Sequence, residues 1–239
     1  MKKLILAAFA LTTAASVFAQ GTIAFGNRFL GTWVTHVWSP GTVNTLSGVG
    51  LGSNDTPSGS TFVAPAGSSM IGAAGLASQY GGSTTLAQLL DFNGTTANEA
   101  LLVPDGGTTT FRTAASTLGN LTQITSTLDN IPVSGTGNGT GAATLEMVAW
   151  DASSTPNGYN LATWGTATSM NADEAWMKGL IAAGKSGLFS EASLGAGDVT
   201  SPSASPNSFN LYFIPVPEPS TFALAGLGLA ALVAFRRRS

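Results

Sequence analysis

Residues 144–151 read TLEMVAWD. The run is too short for an independent helix, is rich in residues that suit a pleated surface, and is set off on its N-terminal side by the glycine-rich SGTGNGTG of residues 134–141. It is a β-strand by this reading, and its alternation places Glu146 and Asp151 on opposite faces. Similar short runs recur on either side: TIAFGNR at 22–28, TWVTHVW at 32–38, TTLAQLLDF at 84–92, ALLVP at 100–104, TTTFRT at 108–113 and SFNLYFI at 208–214. In the last, Phe209, Leu211 and Phe213 share one face while Asn210 and Tyr212 point away. PDGG at 104–107 reads as a turn, closing a hairpin between the runs beside it. The segments 47–60 and 134–141 read as loops.

One helix is expected, from MNADEAWMKGLIAAG at 170–184. Asn171 is its N-cap, Asp173 and Glu174 lie in its first turn, and Gly184 is its C-cap stop. Trp176, Met177, Leu180 and Ile181 form the stripe that would face a sheet. The fold class is therefore mainly β, a β-sandwich-like body with one helical insertion before the final strand.

Composition supports this. Charged residues are 9% of the 239, against about 25% in an ordinary soluble domain, and glycine alone supplies 30. Five of the nine basic side chains stand at the two ends of the chain. Between Gln20 and Val216, Arg28, Arg112, Lys178 and Lys185 face eleven acids, a net charge of −7. A nucleic-acid surface needs clustered cations, so that class of partner is excluded. With no cysteine, disulfides, thiolate catalysis and cysteine-ligated metals are excluded as well.

The first 20 residues, MKKLILAAFALTTAASVFAQ, have the layout of a secretory signal: Lys2 and Lys3, a short apolar stretch, then small residues. Signal peptidase is expected to cut between Ala19 and Gln20, giving a signal helix over 1–19 and a body over 20–214.

Catalytic motifs are few. GLIAAGKS at 179–186 fits the spacing of a phosphate-binding loop. That loop needs a strand before it and a helix starting at its lysine, and here a helix runs into the glycine instead. Lys185 then faces the negative end of a helix dipole. His36 is the one histidine, and no G-x-S-x-G sequence accompanies it. Neighbouring Asp173 and Glu174 point about 100° apart on a helix and do not make a glycosidase pair. No catalytic residue, cofactor or metal is expected. The five tryptophans are expected mostly in the core.

The C-terminus is more specific. VPEPSTFALAGLGLAALVAFRRRS spans 216–239. Its 16 uncharged residues at 220–235 would make a helix about 24 Å long, short of the roughly 30 Å hydrocarbon core, and the arginines would hold its end in the cytoplasm. The stretch resembles a PEP-CTERM sorting signal in its Pro217-Glu218-Pro219 triplet, short transmembrane-like helix and terminal Arg236, Arg237 and Arg238. The resemblance assigns 215–239 to sorting and implies an exosortase, a membrane cysteine protease, as partner. It further implies a transient membrane-anchored intermediate and a destination at the cell surface or extracellular matrix. The body is similar, more loosely, to other low-charge Thr/Gly-rich passengers of this type, through GTIAFGNR, VAWDA and AAGKSGLF.

The expected function is thus that of an exported surface or matrix protein, structural or adhesive and non-enzymatic. A polysaccharide-binding module using exposed tryptophans, with exopolysaccharide as partner, is the alternative. An exported hydrolase with an acid pair is the third reading, and two carboxylates converging in a cleft would favour it.

Overall fold

The computed structural model describes residues 20–44, 46, 48–76, 78–132, 141–165, 170–192, 194 and 205–215. The signal segment and the sorting segment after Pro215 lie outside them. The described chain is mainly β. In order, β1 (Gln20–Phe25), β2 (Arg28–Phe29), β3 (Trp33–Val34), β4 (Val37–Trp38) and β5 (Val49–Gly50) precede β6 (Thr85–Asn93), β7 (Val103–Thr110) and β8 (Ile124–Pro132). Then follow β9 (Ala143–Asp151), helix α1 (Ala172–Met177), β10 (Ala183–Glu191) and β11 (Ser208–Asn210).

The central sheet has the order β10-β9-β6-β7, all antiparallel. TLEMVAWD is one of its two inner strands, paired on both edges and buried along its whole length. Alternation sends its side chains into two separate cores. Leu145, Met147 and Ala149 join Ala87 and Leu89 of β6, Ile23 and Phe25 of β1, Leu128 and Ile131 of β8, and Phe209 and Leu211. Val148 and Trp150 point the other way, to Leu90, Trp164, Ala175 and Trp176. The β1–β8 ladder thus covers one face of the sheet, and α1 with residues 159–165 covers the other. On the second face the rings of Trp150, Trp164, Trp176 and Tyr212 follow one another at 5.6, 5.5 and 5.3 Å. The indole N–H of Trp150 donates to the Leu161 carbonyl and that of Trp176 to the Tyr212 carbonyl, so these rings are buried without an unmet donor.

β11 joins the final segment to the body. It runs parallel to β4 and antiparallel to β5. Phe209 and Leu211 are fully buried, and the Asn44 side chain both accepts from the Phe213 N–H and donates to its carbonyl.

Three expectations are corrected. The helix is six residues long and does not run on to Gly184: Gly179, with φ 67°, turns the chain away, and Ala183–Glu191 is a strand. Of the expected stripe, Trp176 and Ile181 are buried while Met177 and Leu180 are exposed. PDGG is no hairpin turn. It lies inside the single strand β7 as a register shift, with Gly106 at φ 66°. The run 32–38 is split into β3 and β4, between which Thr35 and His36 are buried. β8 was not anticipated, because an inward position in it is occupied by Ser126. A Cβ on Gly106 would stand 2.6 Å from the Ser126 hydroxyl, so the two chains approach too closely for larger side chains.

Candidate functional site

The expected sorting residues Pro217, Glu218, Pro219, Arg236, Arg237 and Arg238, and Ala19 of the signal site, lie outside the described residues. Gln20 opens β1, opposite Pro132. Among the described residues no helix is long and apolar enough to cross a membrane, and no group of three or more His, Asp or Glu side chains could hold a metal ion.

His36, Asp55 and Ser208 do meet, in the wrong order for nucleophilic catalysis. His36 Nδ1 lies 2.8 Å from Asp55 Oδ1, and the Ser208 hydroxyl donates to the same carboxylate at 2.9 and 2.8 Å. The His36 backbone N–H donates to Ser208 Oγ at 2.7 Å, and the Gly52 N–H donates to Asp55. The serine hydroxyl is thus bound to the acid rather than to the imidazole, which is not the serine–histidine–acid order of a triad. The carboxylate instead ties the loop of residues 51–62 to β4 and β11. No sequence spacing announces this contact, since Asp55 and Ser208 are 153 positions apart.

The face of the sheet that carries the tryptophans also bears a cleft of about 440 Å³. Leu90, Leu102, Pro104 and Trp164 give it an apolar floor, and Glu99, Asn171, Asp173, Glu174 and Lys185 line its polar rim. Each wall has a local cause. Asn98 caps the short 3-10 turn bearing Glu99 by accepting from the Ala100 N–H. Asn171 caps α1 by accepting from the Glu174 N–H at 3.1 Å, as expected from sequence. Trp164 is held by its backbone: its N–H donates to Gln88 Oε1, whose amide donates in turn to the Gly106 carbonyl in the β7 bulge.

Lys185 reaches the cleft by pairing with Val148, at the edge of a second bulge. In the β9–β10 ladder Lys185 pairs with Val148 but Leu188 pairs with Glu146. Gly187 takes φ 71°, and the Ser186 hydroxyl accepts the Met147 N–H in place of a ladder carbonyl. The shift puts Lys185 and Leu188 on one face, that of Glu146. Lys185 is therefore neither a phosphate ligand nor a helix cap. Its Nζ stands 3.5 Å from Glu146 Oε2 and 3.6 Å from Glu99 Oε2.

Glu146 is fully buried, and among the described residues neither of its side-chain oxygens has a hydrogen-bond partner of ordinary geometry. Burial pushes its carboxyl up to about 7, with Lys185 opposing the rise and Glu99 adding to it. Burial also raises Asp173, again against Lys185. Acids do converge here, but around a lysine, and the carboxyl of Glu146 lies beneath the rim. The sequence offered one signal of this: a lone carboxylate inside an otherwise apolar strand requires a counter-ion somewhere in the fold.

Of the five tryptophans, Trp33, Trp150, Trp164 and Trp176 are buried. Trp38 is half-buried, beside Phe62 in a smaller cleft that Asp55 also lines.

Residues 215–238 match the family model of the PEP-CTERM protein-sorting motif. No curated protein and no solved structure matches the chain.

Proposed function

We propose that this protein, whose C-terminus carries the PEP-CTERM sorting motif, is exported, held at the inner membrane by its last segment, and cut by an exosortase. The body then serves at the cell surface or in the extracellular matrix as a structural or adhesive component without enzymatic activity. The motif at 215–238 carries this reading, since it implies an exosortase partner, export and an anchored intermediate. Signal peptidase acts first, between Ala19 and Gln20. The arginines keep the tail's end cytoplasmic while the body lies outside. Pro217 and Pro219 favour an extended chain around Glu218, the conformation a protease requires. The bonding of Ser208 to Asp55 supports a non-enzymatic body, because it occupies the serine that, among the described residues, bonds to the acid partner of the lone histidine.

The test follows size and location in a host with active exosortase. An epitope tag fits at the β2–β3 tip, where Leu30 is exposed and nothing lies near Gly31. The tagged chain is expected outside the inner membrane, shorter at both ends. A chain with Pro217, Glu218 and Pro219 all changed to alanine is expected to stay full-length at its C-terminus and membrane-bound. A wild-type chain retained at full length would refute the processing role.

A further inference from the structure

We propose that the cleft between the Glu99 turn, β10 and α1 is a binding site for a non-anionic pyranose unit of a glycan, held by hydroxyl groups donated to its carboxylates. This goes beyond the sorting role, and the cleft would bind whether or not the tail is cut.

The argument starts from the balance of donors and acceptors. The rim carries three carboxylates, Glu99, Asp173 and Glu174, against Lys185, and Lys178 adds a second ammonium from outside the lining, 2.7 Å from Glu174. Acidic side chains alone would be a solvated patch. The second observation is Glu146, which lies under that rim on the same sheet face, opposite Leu90 of the cleft floor. Its two oxygens are buried and, among the described residues, accept no hydrogen bond of ordinary geometry. The Lys185 ammonium stands off at 3.5 Å from Glu146 Oε2 and at 3.6 Å from Glu99 Oε2 on the rim, beyond the roughly 2.7–2.9 Å of a closed charge-assisted bond. Buried acceptors left in this state are costly; Glu146 does not itself line the cleft, so a ligand whose hydroxyls take over Glu99 relieves it by leaving the shared Lys185 ammonium to Glu146.

Charge and shape then select the ligand. A net-acidic rim repels uronates, phosphates and sulfates. The apolar floor of Leu90, Leu102 and Trp164 suits the C–H face of a sugar ring, while the rim suits its hydroxyls or amine. The volume, about 440 Å³, falls within the roughly 300–1,000 Å³ of small-molecule sites.

Gly165 provides a steric probe. Its backbone is not in the left-handed region, and a Cβ there would meet Asp173, Asn171 and Pro104 at 3.6–3.7 Å, ordinary contact distances. A larger side chain would extend among the lining residues without overlapping them at its root.

The experiment is calorimetric titration of the purified full chain with soluble neutral and amino-sugar oligosaccharides of gluco, manno, galacto and chito type, with polygalacturonate as the anionic control. At least one non-anionic oligosaccharide is expected to bind with Kd below about 1 mM. Gly165→Leu and the exposed-site change Glu99→Gln are each expected to weaken it tenfold or more at an unchanged melting temperature. Absence of binding by every non-anionic oligosaccharide, preference for polygalacturonate, or undiminished binding by both folded variants would overturn the site. Location in cells plays no part in these outcomes, so failure here leaves the sorting role standing.

Discussion

At the scale of the residue, Glu146 is where the sequence and the fold conflict most. A fully buried carboxyl prefers its neutral form, so the folded protein binds this proton more tightly than the unfolded chain does. The sign follows directly. The contribution to stability is full below the unfolded value near 4.5 and is lost as pH rises through about 7. The loss amounts to about 3 kcal/mol from a shift of this size. Glu146→Gln keeps the shape and removes the titration. Urea unfolding at pH 5 and pH 8 is expected to show the wild type losing about 2–3 kcal/mol more than the variant between the two conditions; Asp173, also raised by burial, contributes equally to both. Equal losses in the two proteins would show that Glu146 does not titrate in this range. The acid was visible in TLEMVAWD, and its placement opposite the Asp151 face follows from alternation alone. Its counter-ion was not visible. Lys185 lies 39 positions away, and only its pairing with Val148 of β9 puts it on the face of Glu146.

At the scale of the element, the most instructive case is the segment read as the second half of a helix. Trp176, Met177, Leu180 and Ile181 have helical spacing, and Ala182 and Ala183 favour helix. Tertiary contact overrides these preferences at Gly184. A Cβ there would lie 2.4 Å from the Asn210 carbonyl and 2.9 Å from the Phe209 ring, because β10 is pressed against β11. Gly184→Ala is therefore expected to cost about 1–3 kcal/mol through displacement of β11, although in an isolated helix the same change would be favourable. Thermal melting distinguishes the two signs. The strands at 84–92 and 144–151 were legible because they are long and apolar. β8 and the continuity of β7 through PDGG were not, since both depend on Ser126 and Gly106 fitting together across a close approach.

At the scale of the whole molecule, the sorting segment begins where the body ends. Phe213 is still paired with Asn44, so at most about 14 Å of extended chain separates this clasp from Pro217. Processing at the triplet would leave β11 in place. A chain ending at Pro215 is expected to melt like the full body, whereas one ending at Asn207 is expected not to fold. The shorter chain loses the buried side chains of Phe209 and Leu211, each worth about 2–5 kcal/mol, and with them a large part of a total stability of about 5–15 kcal/mol. A folded Asn207 product by circular dichroism would contradict this account of β11. The sequence by itself determined the β-rich character, the absence of thiol chemistry, the N-cap of α1 and the sorting motif, because each is written in local composition, periodicity or contiguous order. The tertiary structure alone decided that Asp55 serves a fold contact, that Lys185 and Glu146 meet, and that a cleft opens above them. Those facts rest on strand register and on bulges, where one extra residue moves a side chain to the other face of a sheet.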